Sequence, residues 1–215
     1  MLELTPELLV GLPRNGPTDP IEFYRRPLVG RLYRERINMG LRLLDAHRFE
    51  RVLEIGYGAG AVLLTVAPSA NELHGIDLDA DPEPVRAILA KKGYEASLVK
   101  GSVYALPYAD GFFDLVICYS VFEHLHEYTK GLEQVRRVLA PGGLFLLGMP
   151  AVNKAMEWGF RAIGFKGIED HHVTTPAEVA KRFDEVGFRV VRVKRLGTPI
   201  PVASLYTTWL LERVK

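Results

Sequence analysis

The alternation of short apolar runs with helical segments after residue 50 constrains the fold more than any other feature of the sequence. We predict five strands at Arg51–Ile55, Glu72–Asp77, Ala96–Lys100, Phe113–Tyr119 and Leu144–Gly148. Because parallel neighbours need a crossover connection, this alternation predicts right-handed βαβ units and a mainly parallel sheet. The fourth run is continuously apolar, as expected for a strand that helices cover on both faces.

The end of the chain predicts a reversed strand. Two further strands, Phe188–Leu196 and Val202–Arg213, are separated by only the five residues 197–201. Such a connection is too short for a parallel crossover, so these strands should pair antiparallel. The predicted fold class is therefore α/β, with a doubly wound, seven-stranded, mostly parallel sheet whose last strand is reversed.

Helix signals support this division. Asp81 and Pro82 provide an N-cap and a first-turn proline, and the helix that they open should end at Gly93. The run from Thr175 to Glu178 is a capping box with a proline at its first helical position, and its helix should end at Gly187.

The first 50 residues form a separate section. Residues 1–20 hold four prolines and two glycines, which predicts a mostly irregular segment on the surface. Residues 24–48 show helical spacing and contain seven arginines, at positions 25, 26, 31, 34, 36, 42 and 48. Two interpretations stay open: an ordinary solvated face with its arginines extended, or a basic lid over an anionic ligand or substrate.

Charge and cysteine content exclude several classes of protein. Among 215 residues, 27 are Lys or Arg and 26 are Asp or Glu, which argues against a protein whose main work is binding nucleic acid. The single cysteine, Cys118, excludes an internal disulfide and a cysteine-based zinc cluster. We find no signal-peptide pattern and no apolar run long enough to span a bilayer, so we expect a cytoplasmic protein.

A glycine loop follows the first of these strands. Gly56, Gly58 and Gly60 lie between that strand and a predicted helix, where glycines permit a sharp turn and close approach of a ligand. Asp77 ends the next strand, 21 residues after Gly56, and a carboxylate there can accept hydrogen bonds from a ribose diol. Together these residues predict a nucleoside-bearing ligand.

The pattern leaves the identity of that nucleoside open. Gly56, Gly58 and Ala61 also satisfy the dinucleotide fingerprint G-x-G-x-x-G/A, and a purely structural turn is a further alternative. Glu54 favours a different ligand, because a carboxylate beside the turn would repel a pyrophosphate and suit an ammonium group.

At this point the sequence resembles the class I S-adenosylmethionine-dependent methyltransferases, in particular the small-molecule group. The motifs that support the resemblance are Glu54-x-Gly56-x-Gly58-x-Gly60, Gly75-Ile76-Asp77-Leu78, Gly101-Ser102-Val103, Asp110-Gly111-Phe112-Phe113-Asp114 and Leu139-Ala140-Pro141-Gly142-Gly143. One position departs from the family pattern, because Ser102 stands where an aspartate commonly contacts the adenine amino group. We expect weaker adenine discrimination rather than lost binding.

The resemblance implies a Rossmann-like methyltransferase fold, S-adenosylmethionine as cofactor and in-line methyl transfer to a small-molecule acceptor. It implies a methyltransferase domain at 51–215, with 1–50 as part of the acceptor-site cover and 151–174 as an insert or lid. Apolar residues of that insert, such as Met156, Trp158 and Phe160, predict a partly apolar acceptor if they form a lid. Ordinary packing or a dimer interface is the alternative.

The implied cofactor-binding residues are Glu54, Gly56, Gly58, Gly60, Asp77, Leu78, Ser102, Val103 and the carbonyl of Cys118. Metal is not expected. The alternatives are a non-catalytic cofactor-binding module and a nicotinamide-dependent oxidoreductase.

The resemblance does not identify the acceptor or a catalytic residue. His124 and His126 follow the fourth strand, close to where a base would lie, but a positioning or structural role is favoured. His171 and His172 are candidates for a base, a metal site or an ordinary loop. Residues after the fourth strand read Cys118-Tyr119-Ser120-Val121 rather than the Asn/Asp-Pro-Pro-Tyr/Phe of enzymes that methylate amines of DNA bases or glutamine. We therefore expect no nucleic-acid partner.

Overall fold

The computed structural model describes residues 2–17, 19–44, 48–151, 172–197 and 204–214. Its strands are β1 (Phe49–Ile55), β2 (Ala70–Asp77), β3 (Ser97–Lys100), β4 (Phe113–Tyr119), β5 (Leu139–Pro150), β6 (Phe188–Leu196) and β7 (Tyr206–Arg213). Its helices are α1 (Ile21–Arg25), α2 (Pro27–Leu41), α3 (Ala61–Val66), α4 (Pro82–Lys91), α5 (Tyr128–Val138), α6 (Pro176–Ala180) and α7 (Phe183–Val186).

The strands form one sheet in the order β3-β2-β1-β4-β5-β7-β6. All pairs from β3 to β5 are parallel, whereas β7 is antiparallel to both β5 and β6. The predicted fold class is confirmed, including the reversed last strand. The order in which strands are added reverses at β1: β2 and β3 are added on one side of it, and β4 and β5 on the other. This topological switch point leaves a crevice at the carboxyl ends of β1 and β4.

Apolar side chains fill both sides of the sheet. On β4, Leu115 and Ile117 belong to one buried cluster, whereas Val116 and Cys118 belong to the other. All four side chains are without solvent exposure. A strand with two buried faces reads as a continuous apolar run, which is why β4 was evident in the sequence.

The N-terminal segment is more deeply packed than the sequence predicts. Leu4, Leu9 and Leu12 are each at most 2% exposed, and a short 3₁₀ helix spans Pro6–Leu9. The buried amide of Asn38 pairs with the backbone of Leu4, accepting its N–H at 2.7 Å and donating to its carbonyl at 3.2 Å. The segment is mostly irregular, as predicted, but its spaced leucines are buried without regular structure, which the sequence analysis did not predict.

Other differences concern where elements begin and end. The helix expected over residues 24–48 is divided into α1 and α2 at Arg26, which precedes Pro27 and has an extended backbone. The helix that opens at Thr175 is likewise divided into α6 and α7. Strand β5 begins at Leu139 rather than Leu144. The insert predicted at 151–174 lies mainly outside the described residues.

A search of the described helices for a membrane span was negative: none combines the length and the apolar character that crossing a bilayer requires.

The capping box at Thr175 offers a local test of stability. Its hydroxyl accepts the Glu178 N–H at 3.3 Å, and the Glu178 carboxylate accepts the Thr175 N–H at 2.8 Å. We predict that Thr175→Ala lowers the free energy of unfolding by about 1 kcal/mol, measured by urea denaturation. Glu178→Gln should cost less, because an amide oxygen still accepts the Thr175 N–H; an equal or larger loss would contradict this account.

Candidate cofactor cradle

The parallel register places the glycine loop beside the end of β2. Ile55 pairs with Ile76, and the Gly56 N–H donates to the Ile76 carbonyl at 2.8 Å. The loop after β1 therefore starts level with Asp77, the last residue of β2. Gly56 and Asp77, which are 21 residues apart in sequence, therefore lie at the same edge of the sheet.

The Asp77 carboxylate holds this edge together through three backbone groups. One oxygen accepts the Gly58 N–H at 2.9 Å, and the other accepts the N–H groups of Asp79 and Ala80, each at 2.9 Å. A carboxylate offers about four lone-pair sites, so one acceptor position remains. Asp77 therefore both fixes the loop and keeps capacity to bind a ligand hydroxyl.

Two glycines of the loop have backbone conformations and contacts that exclude a side chain. Gly56 has φ of +78° and Gly60 has φ of +79°, in the left-handed region that favours glycine. An added Cβ would lie 2.5 Å from a Val121 methyl group at the first position and 2.5 Å from a Val85 methyl group at the second. The loop is thus packed between the segments that follow β4 and β2.

Glu54 lies under the loop with only 3% of its surface exposed. Burial raises the pKa of its carboxyl well above the usual range; a hydrogen bond from the Leu63 N–H opposes this rise, and the charge of Asp77 adds to it. Its Oε2 has no hydrogen-bond partner. An unpaired carboxylate oxygen beneath the loop is suited to a ligand cation.

The N-terminal segment covers the glycine loop, which sequence reasoning missed. The buried amide of Asn15 donates to the carbonyls of Gly58 and Asp81 and accepts the Asp81 N–H, all at 2.9 Å. The Asp19 carboxylate lies 3.6–3.8 Å from the position that a Cβ on Gly58 would take. The sequence signal was weak, since Asn15 and Asp19 stand in a proline-rich stretch without periodicity.

Asp19 is a third acid beside the glycine loop, after Glu54 and Asp77. Burial raises the pKa of its carboxyl, and the neighbouring charge of Asp77 contributes to that rise. Asp19, Glu54 and Asp77 therefore place three acidic groups around the glycine loop. A bound cation would favour their ionised forms, whereas a pyrophosphate would not.

The residues predicted to contact adenine lie at the same edge of the sheet. Asp77 pairs with Lys100 of β3, so Leu78 and Ser102 both follow the ends of neighbouring strands. Leu78 is 65% exposed and Val103 is 6% exposed. The Ser102 hydroxyl accepts the Tyr104 N–H at 3.2 Å.

Cys118 lies at the end of β4, in register with Ile55 of β1. Its thiol is fully buried, and burial raises its pKa well above the usual value, so it is not an activated nucleophile. Two residues later, Ser120 is the only non-glycine with positive φ in the described part of the chain, at +57°. Such strain frequently accompanies functional sites.

A polar and aromatic cluster surrounds Ser120. Its hydroxyl is 2.9 Å from the Tyr206 hydroxyl and 3.4 Å from an Arg36 nitrogen, and a second Arg36 nitrogen donates to the Tyr24 hydroxyl at 2.9 Å. We name Tyr24, Tyr33, Arg36, Ser120 and Tyr206 the tyrosine–arginine cluster. Sequence reasoning missed it, because its members are far apart in the chain and only Arg36 stood out, as one of seven arginines.

Glu123 is the buried acid next to this cluster. It is 1% exposed with an unpartnered Oε2, and burial raises its pKa to about 8, although the charge of Arg36 opposes this rise. Side-chain atoms of Glu123, His124 and His172 lie within 4.8 Å of one another, a grouping that can supply ligands to a cation. The expectation of no metal stays a prediction. His126 is exposed, and His171 lies outside the described residues.

Two surface cavities, of about 560 and 300 Å³, lie away from these residues. The first is lined by residues of α2, the turn after it and β6, such as Arg42 and Lys194, and the second by residues such as Phe49 and Pro141. Neither includes a predicted site residue. We place the site at the cradle because backbone donors, buried acids and strand ends converge there, whereas cavity size alone implies no chemistry.

Comparisons with known proteins agree with this geometry. Residues 53–147 match a family described as "Methyltransferase domain". The demethylmenaquinone methyltransferase of Deinococcus radiodurans is 33% identical over 109 residues, covering 49% of this chain and 45% of that protein. The malonyl-[acyl-carrier protein] O-methyltransferase of Geobacter sulfurreducens is 32% identical over 170 residues, covering 71% of this chain and 61% of that protein. The chain spans about half the length of the first curated relatives that it matches.

A solved structure extends the likeness to nearly the whole chain. The N-methyltransferase NodS of Bradyrhizobium japonicum, in complex with S-adenosyl-L-homocysteine, superposes with a TM-score of 0.66 at 19% identity, covering 97% of each chain. The strand order and the reversed β7 define a Rossmann-like methyltransferase fold. The matched segment, these relatives and the fold together support a class I S-adenosylmethionine-dependent methyltransferase. The predicted cofactor, S-adenosylmethionine, is the cofactor of this family.

Glu54 provides a pH test of the site. Because the folded protein holds the Glu54 carboxyl at a raised pKa, it binds the proton more tightly than the unfolded chain. Stability associated with this group is therefore present below about pH 4.5 and is lost as pH rises towards the raised value. We predict that Glu54→Gln raises the melting temperature more at about pH 8 than at about pH 5.

The matched control for this prediction is Glu133→Gln, since Glu133 is an exposed residue of α5. It should shift the melting temperature little and equally at both pH values. A Glu54→Gln shift that does not depend on pH would show that the buried carboxyl is not the titrating group.

Proposed function

We propose that this protein binds S-adenosylmethionine in the cradle and transfers its methyl group to a small-molecule acceptor. The observation that supports this most is the convergence of the Gly58 N–H, the Asp77 carboxylate and the buried Glu54 at the ends of two adjacent parallel strands. The match to a methyltransferase family supports the same chemistry, and the curated relatives include methyltransferases with small-molecule or carrier-bound substrates.

The residues present fit this cofactor. Asp77 retains an acceptor position for a ribose hydroxyl beyond its three backbone bonds. Gly56, Gly58 and Gly60 allow the ligand to approach the backbone. For the adenine we propose Leu78 and Val103 on its faces, with Ser102 at its edge.

Electrostatics distinguish this cofactor from a dinucleotide. An ammonium and a sulfonium suit the acidic groups of Asp19, Glu54 and Asp77, because a nearby cation stabilises the ionised form of a carboxyl. The two negative charges of a pyrophosphate would oppose that ionisation. The unpartnered Glu54 Oε2 supports a role towards the ammonium, directly or through water. The Cys118 carbonyl is our further candidate for the same group.

The cofactor, when bound, supplies the reactive methyl group, because a sulfonium is a good leaving group for in-line displacement. The task of the protein is then to align the acceptor and exclude water. We propose that the Asn15 contacts keep residues 1–50 over the cradle, as part of the acceptor-site cover. Residues 151–174, proposed as an insert over the acceptor, lie mainly outside the described residues.

A non-catalytic module of the same fold is the main alternative. The [4+2]-cyclase SpnF shares the fold at a TM-score of 0.68 and 13% identity, and it is named for a different reaction. Fold alone therefore does not assign methyl transfer. Transfer of an isotope-labelled methyl group to a panel of small acceptors distinguishes the two functions.

Asp77 gives the main binding prediction. Asp77→Asn keeps an oxygen for a backbone N–H but removes the charge, so affinity for S-adenosylhomocysteine should fall by about 1.5–3 kcal/mol, measured by calorimetric titration. Asp79→Asn, an exposed neighbour, should leave affinity nearly unchanged. Unchanged affinity in Asp77→Asn would refute the ribose assignment, and binding of NAD without S-adenosylhomocysteine would refute the proposed cofactor.

Ser102 gives a specificity prediction. A carboxylate accepts from the adenine amino group more strongly than a hydroxyl does. Ser102→Asp should therefore increase the preference for S-adenosylhomocysteine over S-inosylhomocysteine by about fivefold to tenfold, in line with about 1–1.4 kcal/mol. Ser102→Ala is the control and should not increase it. An unchanged ratio in Ser102→Asp would place the adenine amino group elsewhere.

A further inference from the structure

Arg36 differs from its neighbours on α2 in its surroundings. Arg31 is exposed, and Arg42 pairs with the Glu35 carboxylate. Arg36 is half-buried, and within the described part of the chain no carboxylate oxygen lies within 4.0 Å of it. A guanidinium removed from water without a counterion is costly unless a ligand supplies the charge.

Three tyrosine rings surround the guanidinium. Its central carbon lies 4.5 Å from the centre of the Tyr33 ring and 5.4 Å from the centres of the Tyr24 and Tyr206 rings. Contacts over ring faces stabilise the cation but leave the N–H groups at its edge available. The Nε–H is buried without a partner, whereas the two terminal nitrogens bond only to hydroxyl groups.

The acid that faces the cluster does not neutralise it. Glu123 lies outside salt-bridge distance of Arg36, and its carboxyl, with a pKa of about 8, holds its proton at neutral pH. Burial raises the pKa of the Tyr33 and Tyr206 hydroxyls, so these two groups are also uncharged there. The cluster therefore has a net positive charge in the resting protein.

The cluster lies beside the proposed cofactor cradle. Ser120, which contacts Arg36 and Tyr206, immediately precedes Val121, and the Val121 side chain packs against Gly56. Arg36 therefore contacts Ser120, and the next residue, Val121, contacts the glycine loop.

We infer that Arg36 binds a carboxylate of the methyl acceptor, with an apolar or aromatic body of the acceptor lying against the surrounding tyrosines. This inference rests on the proposed function and specifies its substrate class as a carboxylic acid. A carboxylate matches the edge of one guanidinium through paired N–H bonds and carries one negative charge. A phosphate dianion would bring a second negative charge that the single Arg36 guanidinium does not match.

The test compares three small probes that share a phenyl ring and differ in their polar group. Calorimetric titration measures phenylacetate, phenylacetamide and phenyl phosphate against the full chain, with and without saturating S-adenosylhomocysteine. Phenylacetate should bind at least tenfold more tightly than the amide, in line with the strength of hydrogen bonds between charged groups. Equal binding of acid and amide, or no measurable binding of phenylacetate, would overturn the inference; tighter binding of phenyl phosphate would overturn the carboxylate assignment.

Variants assign any preference to Arg36. Arg36→Gln should abolish the preference for phenylacetate, whereas Arg31→Gln on the same helix should retain it. Arg36→Lys keeps the charge without the paired N–H edge and should retain part of the preference, which covers the case in which Arg36→Gln does not fold. An Arg36 variant that folds and keeps the full preference would refute the assignment.

S-adenosylhomocysteine binding separates this inference from the proposed function. If the cofactor product binds but the probes show no dependence on Arg36, only the carboxylate site fails. If the probes depend on Arg36 and the cofactor product does not bind, the proposed function fails while the anion site stands.

Discussion

The Asp77 carboxylate is the interaction on which the candidate site depends. It accepts the Gly58 N–H from the loop after β1 and two N–H groups from the turn after β2. Parallel pairing of β1 with β2 brings these groups together. One side chain thus fixes two loops and remains able to accept a ligand hydroxyl.

The two halves of the proposed site differ in charge. Asp19, Glu54 and Asp77 surround the glycine loop, whereas Arg36 and its tyrosines lie on the other side of the segment after β4. A cationic cofactor and an anionic acceptor would then be drawn to different positions. Such separation favours one orientation of two reactants before any bond changes.

The sequence predicted the sheet and the cradle because both follow from local patterns. Continuous apolar runs identified β4, and the spacing of Gly56 and Asp77 placed two loops at one edge. The N-terminal cover was not predictable in this way, since Asn15 acts through contacts with residues more than 40 positions away. Arg36 was visible only as one arginine among seven, because its tyrosines come from α1, α2 and β7.

The central claim is that the glycine loop and Asp77 form an adenosyl-cofactor site. The most direct measurement follows the backbone amide signals of the chain by nuclear magnetic resonance during titration with S-adenosylhomocysteine. We expect the amide signals of Gly56, Gly58, Gly60 and Leu78 to shift most, and to saturate as the ligand concentration rises. Saturable shifts confined to another region, such as the cavity beside Arg42 and Lys194, would contradict the central claim.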